Sequence, residues 1–160
     1  MAYHPRVIAN ALLRQASKSG AKLSHLKLQK LVFFLDAWNL ALHDQPLIDE
    51  RPQAWPYGPV FSSLYQELKR FGAKDIQGYL KEIDPISGRE VALIPNPEDK
   101  PFWDLVDQVW DRYGKLTAVQ LSSLSHTKGS PWDEARQDQV REISDRSIKD
   151  FYRPQLIHAN

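Results

Sequence analysis

Residues 24–42 read SHLKLQKLVFFLDAWNLAL, and whether this stretch lies on a surface or inside the molecule decides the fold. Leu28, Leu31, Val32, Leu35, Trp38 and Leu42 fall at helical spacing on one face, while Phe33, Phe34, Ala37, Leu40 and Ala41 fill much of the rest. A helix that is apolar nearly all round has to be surrounded by other elements. Ser24 is a good N-cap, because its hydroxyl can accept a hydrogen bond from an otherwise unpaired amide of the first turn. The expectation is therefore a central buried helix over about 24–43. Lys27, Gln29 and Lys30 stand at its mouth, where the helix dipole disfavours cations, so something other than local helix stability has to account for them.

Working outward, the flanking segments are also punctuated as helices. Pro5 can open a first helix, Val7, Ile8, Ala11 and Leu12 give it an inward stripe, and Gly20 can end it. The segment PLIDERPQAWPYGPV (46–60) carries four prolines. It reads as extended or turn conformation rather than helix. Gly58-Pro59 is expected to end it and start a helix with Phe61, Leu64, Tyr65 and Leu68 as its apolar face and Gly72 as its stop. Residues 79–94, YLKEIDPISGREVALI, place two short β-prone runs around the turn residues Asp84 to Gly88 and predict a small hairpin.

After the joint IPNPEDKP, a further helix carries Phe102, Leu105, Val106, Val109 and Tyr113 and is closed by Gly114. Thr117 and Gln120 have capping-box spacing, with Leu116 and Leu121 placed as a hydrophobic staple. Ser130-Pro131 with Asp133 marks another start, and Asp145, Ile148 and Phe151 suggest a last short helix. The expected fold is mainly α: one compact helical domain over 1–160 with a central buried helix and one small β-hairpin. No internal repeat, low-complexity segment or linker divides it.

Composition narrows the function classes. A chain of 160 residues with 42% apolar and 26% charged residues lies in the globular range. Its 21 basic and 20 acidic side chains leave a formal charge of +1, so no general attraction to nucleic acid or anionic lipid is built in. The absence of cysteine removes disulfides, thiol nucleophiles and thiolate zinc sites. The N-terminal stretch MAYHPRVIANALLRQ lacks a signal-peptide pattern, and with no transmembrane segment the cytoplasm is the expected location.

Catalytic motifs are missing. The histidines at 4, 25, 43, 126 and 158 show no HExxH and no i, i+4 pairing, so no metal site is spelled out. Neither a GxSxG elbow nor a glycine-rich phosphate loop occurs, and no cofactor is implied. Asp104, Asp107 and Asp111 share one helical edge, which reads as a solvated face rather than a carboxylate site. A helix-turn-helix over Thr117 to Arg141 would have to read DNA through a helix that opens with Asp133 and Glu134, and those carboxylates repel phosphate.

Three linked blocks carry a more specific signal: KLQKLVFFLDAWNLAL, then PLIDERPQAWPYGPVFSSLY, then YGKLTAVQLSSLSH with SPWDEA. In this order, and over about residues 24–136, they resemble the Panacea domain of SocA-like antitoxins, proteins often labelled phage-associated. KLQKL, AWxYGPV and the H-x4-PW ending are together far more specific than any one of them. Asp44-Gln45 departs from the family pattern, where a glycine usually precedes Pro-Leu, and Ser125 stands where threonine usually precedes the histidine. The resemblance implies an antitoxin that neutralises a toxin encoded beside it. It does so by forming a complex or, in one branch, by acting as an adaptor that delivers the toxin to a protease. A phage or mobile-element regulator that binds nucleic acid is the alternative class.

The candidate partner-binding residues follow from both lines. Lys27 and Lys30 either cover apolar surface with their stems while their ammonium groups reach water or a nearby carboxylate, or, with Gln29, rim a partner groove. Trp55 and Tyr57, on a stretch stiffened by Pro56 and Pro59 next to Gly58, either plug the central helix near Trp38 or anchor an interface. Arg70, Tyr79 and Arg89 join them because loops and hairpins vary without disturbing a core. His126, Pro131 and Trp132 read as structural, with the imidazole stacked on the indole and tying the last helices together.

Overall fold

The computed structural model describes residues 2–158, with side chains through residue 156. Among them the chain is mainly helical: α1 (Pro5–Lys18), α2 (His25–His43), β1 (Gln53–Trp55), β2 (Gly58–Val60), α3 (Ser62–Leu68), β3 (Glu82–Ile83), β4 (Glu90–Val91), α4 (Lys100–Tyr113), α5 (Ala118–Ser125), α6 (Pro131–Gln137) and α7 (Asp145–His158). Both strand pairs are antiparallel. No described helix is long and apolar enough to cross a membrane.

The helix starts follow their capping chemistry. The Ser24 hydroxyl accepts from the Lys27 amide, the Thr117–Gln120 capping box is formed in both directions, and the Ser130 hydroxyl accepts from the Asp133 amide. The α1 start adds a cap that its proline did not announce, since His4 Nδ1 accepts from the Arg6 amide at 3.0 Å. At the far end of α2, Asp44 takes a left-handed φ of +56°. Aspartate is among the few side chains that adopt this conformation, and its carboxylate meets Lys149 Nζ at 2.8 Å.

Leu28, Leu31, Val32, Phe33, Leu35 and Ala37 of α2 are fully buried. The helix packs against α1, α3, α4, α5, α7 and β2. Phe34 stacks on Tyr113 with ring centroids 4.2 Å apart, and Tyr152 of α7 meets Phe33, Phe34 and Trp38 edge-on. Leu42 departs from the inward stripe expected of it and is 44% exposed, lining an open groove with Leu105, Val109 and Leu156.

Two more expectations are corrected. Gly58-Pro59 does not open a helix: both residues belong to β2, which pairs with β1 in a hairpin additional to the one expected at 79–94. The following helix begins at Ser62. The last helix is not short, since α7 runs from Asp145 through Pro154 to His158.

Candidate functional site

The blocks that carry the family resemblance converge on the β1–β2 hairpin. A two-stranded hairpin has little stability of its own in water. This one is held by side chains from three helices that reach its backbone. Lys30 Nζ of α2 donates to Pro59 O at 2.7 Å, and Gln29 Nε2 donates to Phe61 O at 2.9 Å while its Oε1 accepts from the Phe61 amide at 3.0 Å. The Ser122 hydroxyl of α5 donates to Tyr57 O at 2.6 Å. From α6, Trp132 Nε1 donates to Trp55 O at 2.6 Å and the Arg136 guanidinium to Ala54 O at 3.1 Å. Backbone contacts finish the job on the outer edge, where the Ala54 amide donates to Arg141 O and the Ile143 amide to Pro52 O.

Gly58 is fixed by space and by conformation. Its φ is +112°, and a Cβ there would stand 2.7 Å from Ser125 Oγ and 3.1 Å from both Cε and Nζ of Lys30. Only glycine meets both conditions. Between the strands the turn leaves the Tyr57 side chain 75% exposed while its carbonyl is bound from beneath.

The polar residues at the mouth of α2 are therefore structural, and each has a different partner. Gln29 and Lys30 are buried and cannot rim a partner groove, which corrects that expectation. The Lys30 ammonium has no carboxylate within salt-bridge range among the described residues, and burial pushes its pKa down to about 7. Lys27 donates from Nζ to Gly114 O at 2.6 Å, so its charge sits at the C-terminus of α4, where the dipole welcomes a cation. That contact explains a lysine at the start of α2.

Trp55 does not plug the central helix near Trp38. Its ring meets Tyr65 at 4.8 Å, whereas Trp38 lies across the core, donating to the Tyr113 hydroxyl at 2.8 Å under the Arg112 guanidinium. His126 does pack against Trp132, with ring centroids 5.1 Å apart, and Pro131 is the buried first residue of α6.

Arg70, Tyr79 and Arg89 lie elsewhere. Arg70 covers the Phe71 ring and lines a polar groove with Tyr79, Lys81 and Glu90, while Arg89 is exposed in the β3–β4 hairpin. That hairpin is held at its base, where Asn10 bonds Leu80 on both N–H and C=O and also Leu93 O, and where Arg6 pairs with Glu67 and Glu82.

Asp104, Asp107 and Asp111 are all exposed along α4, with Asp104 paired to Lys100 and Asp107 accepting from Gln15. No group of three His, Asp or Glu side chains among the described residues could hold a metal ion. His158 carries its side chain outside the described residues. Asp133, which opens α6, accepts from the Gly129 amide and from Gln137.

Comparison with known proteins covers the same blocks of sequence. A family model described as "Antitoxin SocA-like, Panacea domain" matches residues 28–133. The chain is 31% identical over 161 aligned residues to the protein named Antitoxin SocA from Caulobacter vibrioides (strain NA1000 / CB15N), an alignment covering 97% of this chain and 85% of the relative. No solved structure matches. The chain is a member of the SocA-like antitoxin family with a Panacea domain.

Proposed function

We propose that this chain works in the cytoplasm as an antitoxin that neutralises a protein toxin encoded beside it, by direct and stoichiometric binding. The observation that carries this reading is the use to which the motif residues are put. Lys30, Gln29, Gly58, Ser122 and Trp132 all serve to immobilise one turn, which presents Pro56 and the aromatic side chain of Tyr57 to solvent. A set of buried and half-buried residues arranged to present an exposed aromatic supports recognition of a surface, whereas catalysis would need its polar groups open to a substrate. Lys30 and Ser125, the groups most resembling a nucleophile and its neighbour, are closed off from solvent.

The test is co-expression with the adjoining reading frame. Growth should be rescued, and the two proteins should elute together in a fixed ratio, with an interface above about 1,000 Å². Rescue at far below one antitoxin per toxin, with no complex recovered, would replace direct binding by turnover, including delivery of the toxin to a protease.

A further inference from the structure

We propose that the groove between α2, α4 and α7 binds a small apolar carboxylate, at a site separate from the Tyr57 turn and independent of the toxin-binding reading. The groove has a volume of about 150 Å³, with hydrocarbon walls from Leu42 of α2, Leu105 and Val109 of α4 and Leu156 of α7, and Trp38 and Tyr113 complete it. A space of that size holds one benzene-sized group.

Its polar groups are few, and each can donate. Leu105, Gln108, Val109 and Arg112 stand at i, i+3, i+4 and i+7 of α4 and so share one helix face. Among the described residues, Arg112 is the only charged one that lines the groove. Its guanidinium lies over two of the groove's rings, with Cζ 4.8 Å from the Trp38 centroid and 5.4 Å from that of Tyr113. Stacking engages the face of the guanidinium and leaves its N–H edges free. No carboxylate among the described residues pairs with it. The hydroxyl of Tyr113, a residue only 4% exposed, accepts from Trp38 Nε1 at 2.8 Å, but its own proton meets no acceptor among the described residues. A buried phenol normally uses both functions.

Donors without acceptors, set among apolar walls, select the ligand. A carboxylate matches the edge of a guanidinium with its two oxygens and has lone pairs left for the Gln108 amide and the Tyr113 hydroxyl. The hydrocarbon attached to it is drawn out of water by the apolar walls. A polypeptide segment needs a longer track than this single-group space. The acidic side chains of α4 do not fill the role: Asp107 accepts from Gln15 of α1, and Asp111 points away from the Arg112 face because adjacent residues of a helix do not share one. The polar groove beside Arg70 differs, since Arg70 and Lys81 share it with Glu82 and Glu90 and its cations are matched in place.

Calorimetric titration of the full-length chain tests the site, with hexanoate and phenylacetate as probes and hexanamide and phenylacetamide as their uncharged counterparts. Both carboxylates should bind saturably at one site, and the amides more weakly by about 10-fold or more. Arg112→Leu, which keeps the wall apolar, should weaken the carboxylates by about 10-fold or more and leave the amides unchanged. Leu42→Glu, at an exposed rim position, retains Arg112 and should weaken the carboxylates selectively, so it carries the test if Arg112→Leu does not fold. Arg89→Leu on the second hairpin should bind like wild type. Absence of saturable binding, equal affinity for carboxylates and amides, or wild-type affinity in both Arg112→Leu and Leu42→Glu would each overturn the assignment. A chain that binds neither carboxylate but loses the toxin of the adjoining reading frame in both variants would give the groove to the toxin instead.

Discussion

The two hairpins are of similar size and are anchored in opposite ways. In β1–β2, five consecutive or near-consecutive carbonyls, those of Ala54, Trp55, Tyr57, Pro59 and Phe61, each accept a hydrogen bond from a side chain of α2, α5 or α6. In β3–β4 the helical bonds come from α1 and reach only the base, through Asn10 and through Arg6 on Glu82, while the turn closes on itself. Side chains that bind along the whole backbone can order a turn its own two strands could not. A hairpin bound only at its base keeps a tip governed by local turn chemistry.

The largest effect should come from filling the tight space under the first hairpin. Gly58→Ala forces a Cβ to within 2.7 Å of Ser125 Oγ at a φ of +112° and should cost about 2–5 kcal/mol in a urea titration. Gly88→Ala in the second hairpin has a positive φ but open space around it, so it should cost only about 1 kcal/mol. Equal costs would dissolve the contrast between the two.

Gln29→Ala comes next. It strands the buried N–H of Phe61, whose C=O keeps its bond from the Tyr65 amide, with an expected loss of about 1–3 kcal/mol in the same titration.

Lys30 sharpens the comparison through pH. Its pKa is lowered from 10.5 to about 7 by burial, so the folded state prefers the neutral amine. The stability this preference contributes is fully present above pH 10.5 and is lost as pH falls to about 7. Buried Asp36, raised from 3.8 to about 7 by burial, behaves oppositely: its contribution is full below pH 3.8 and is lost as pH rises to about 7. Relative to wild type, Lys30→Met should therefore remove a rise in stability on the alkaline side, and Asp36→Asn should remove a fall on the acid side. Denaturation midpoints across pH 4 to 10 check both. A wild-type minus Lys30→Met difference that stays flat from about pH 7 to 10.5 would mean that Lys30 is not held in a desolvated site.

Smaller again is His126→Ala, which removes one ring from a tilted pair beside the hairpin and should cost about 0.5–1.5 kcal/mol by thermal melting.

How much of this was legible in the sequence depends on the range of the interaction. Helix starts are written locally, and Ser24, Thr117 and Ser130 cap where their spacing says they should. Burial of α2 is equally local, because an all-round apolar stretch leaves no other arrangement. The β1–β2 hairpin is not local: three of its six residues are proline, glycine or alanine, no alternating pattern announces it, and its anchors lie on helices before and after it. Lys27 and Lys30 were puzzling for the same reason, since their acceptors are Gly114 and Pro59 rather than any neighbour in sequence. Pro154 concealed the length of α7, because a proline reads as a stop unless packing against α2 holds the helix through it.

The central claim is that the motif residues order the Tyr57 turn before any partner arrives. Native-state hydrogen exchange on the free chain tests it directly, by comparing the amides of Ala54 and Phe61, bound by Arg141 O and Gln29 Oε1, with those of Ser87 and Gly88 in the second hairpin's turn. Ala54 and Phe61 should exchange only through global unfolding, and Ser87 and Gly88 through local opening at much lower free energy. Exchange of Ala54 and Phe61 as fast as that of Ser87 and Gly88 would contradict the claim.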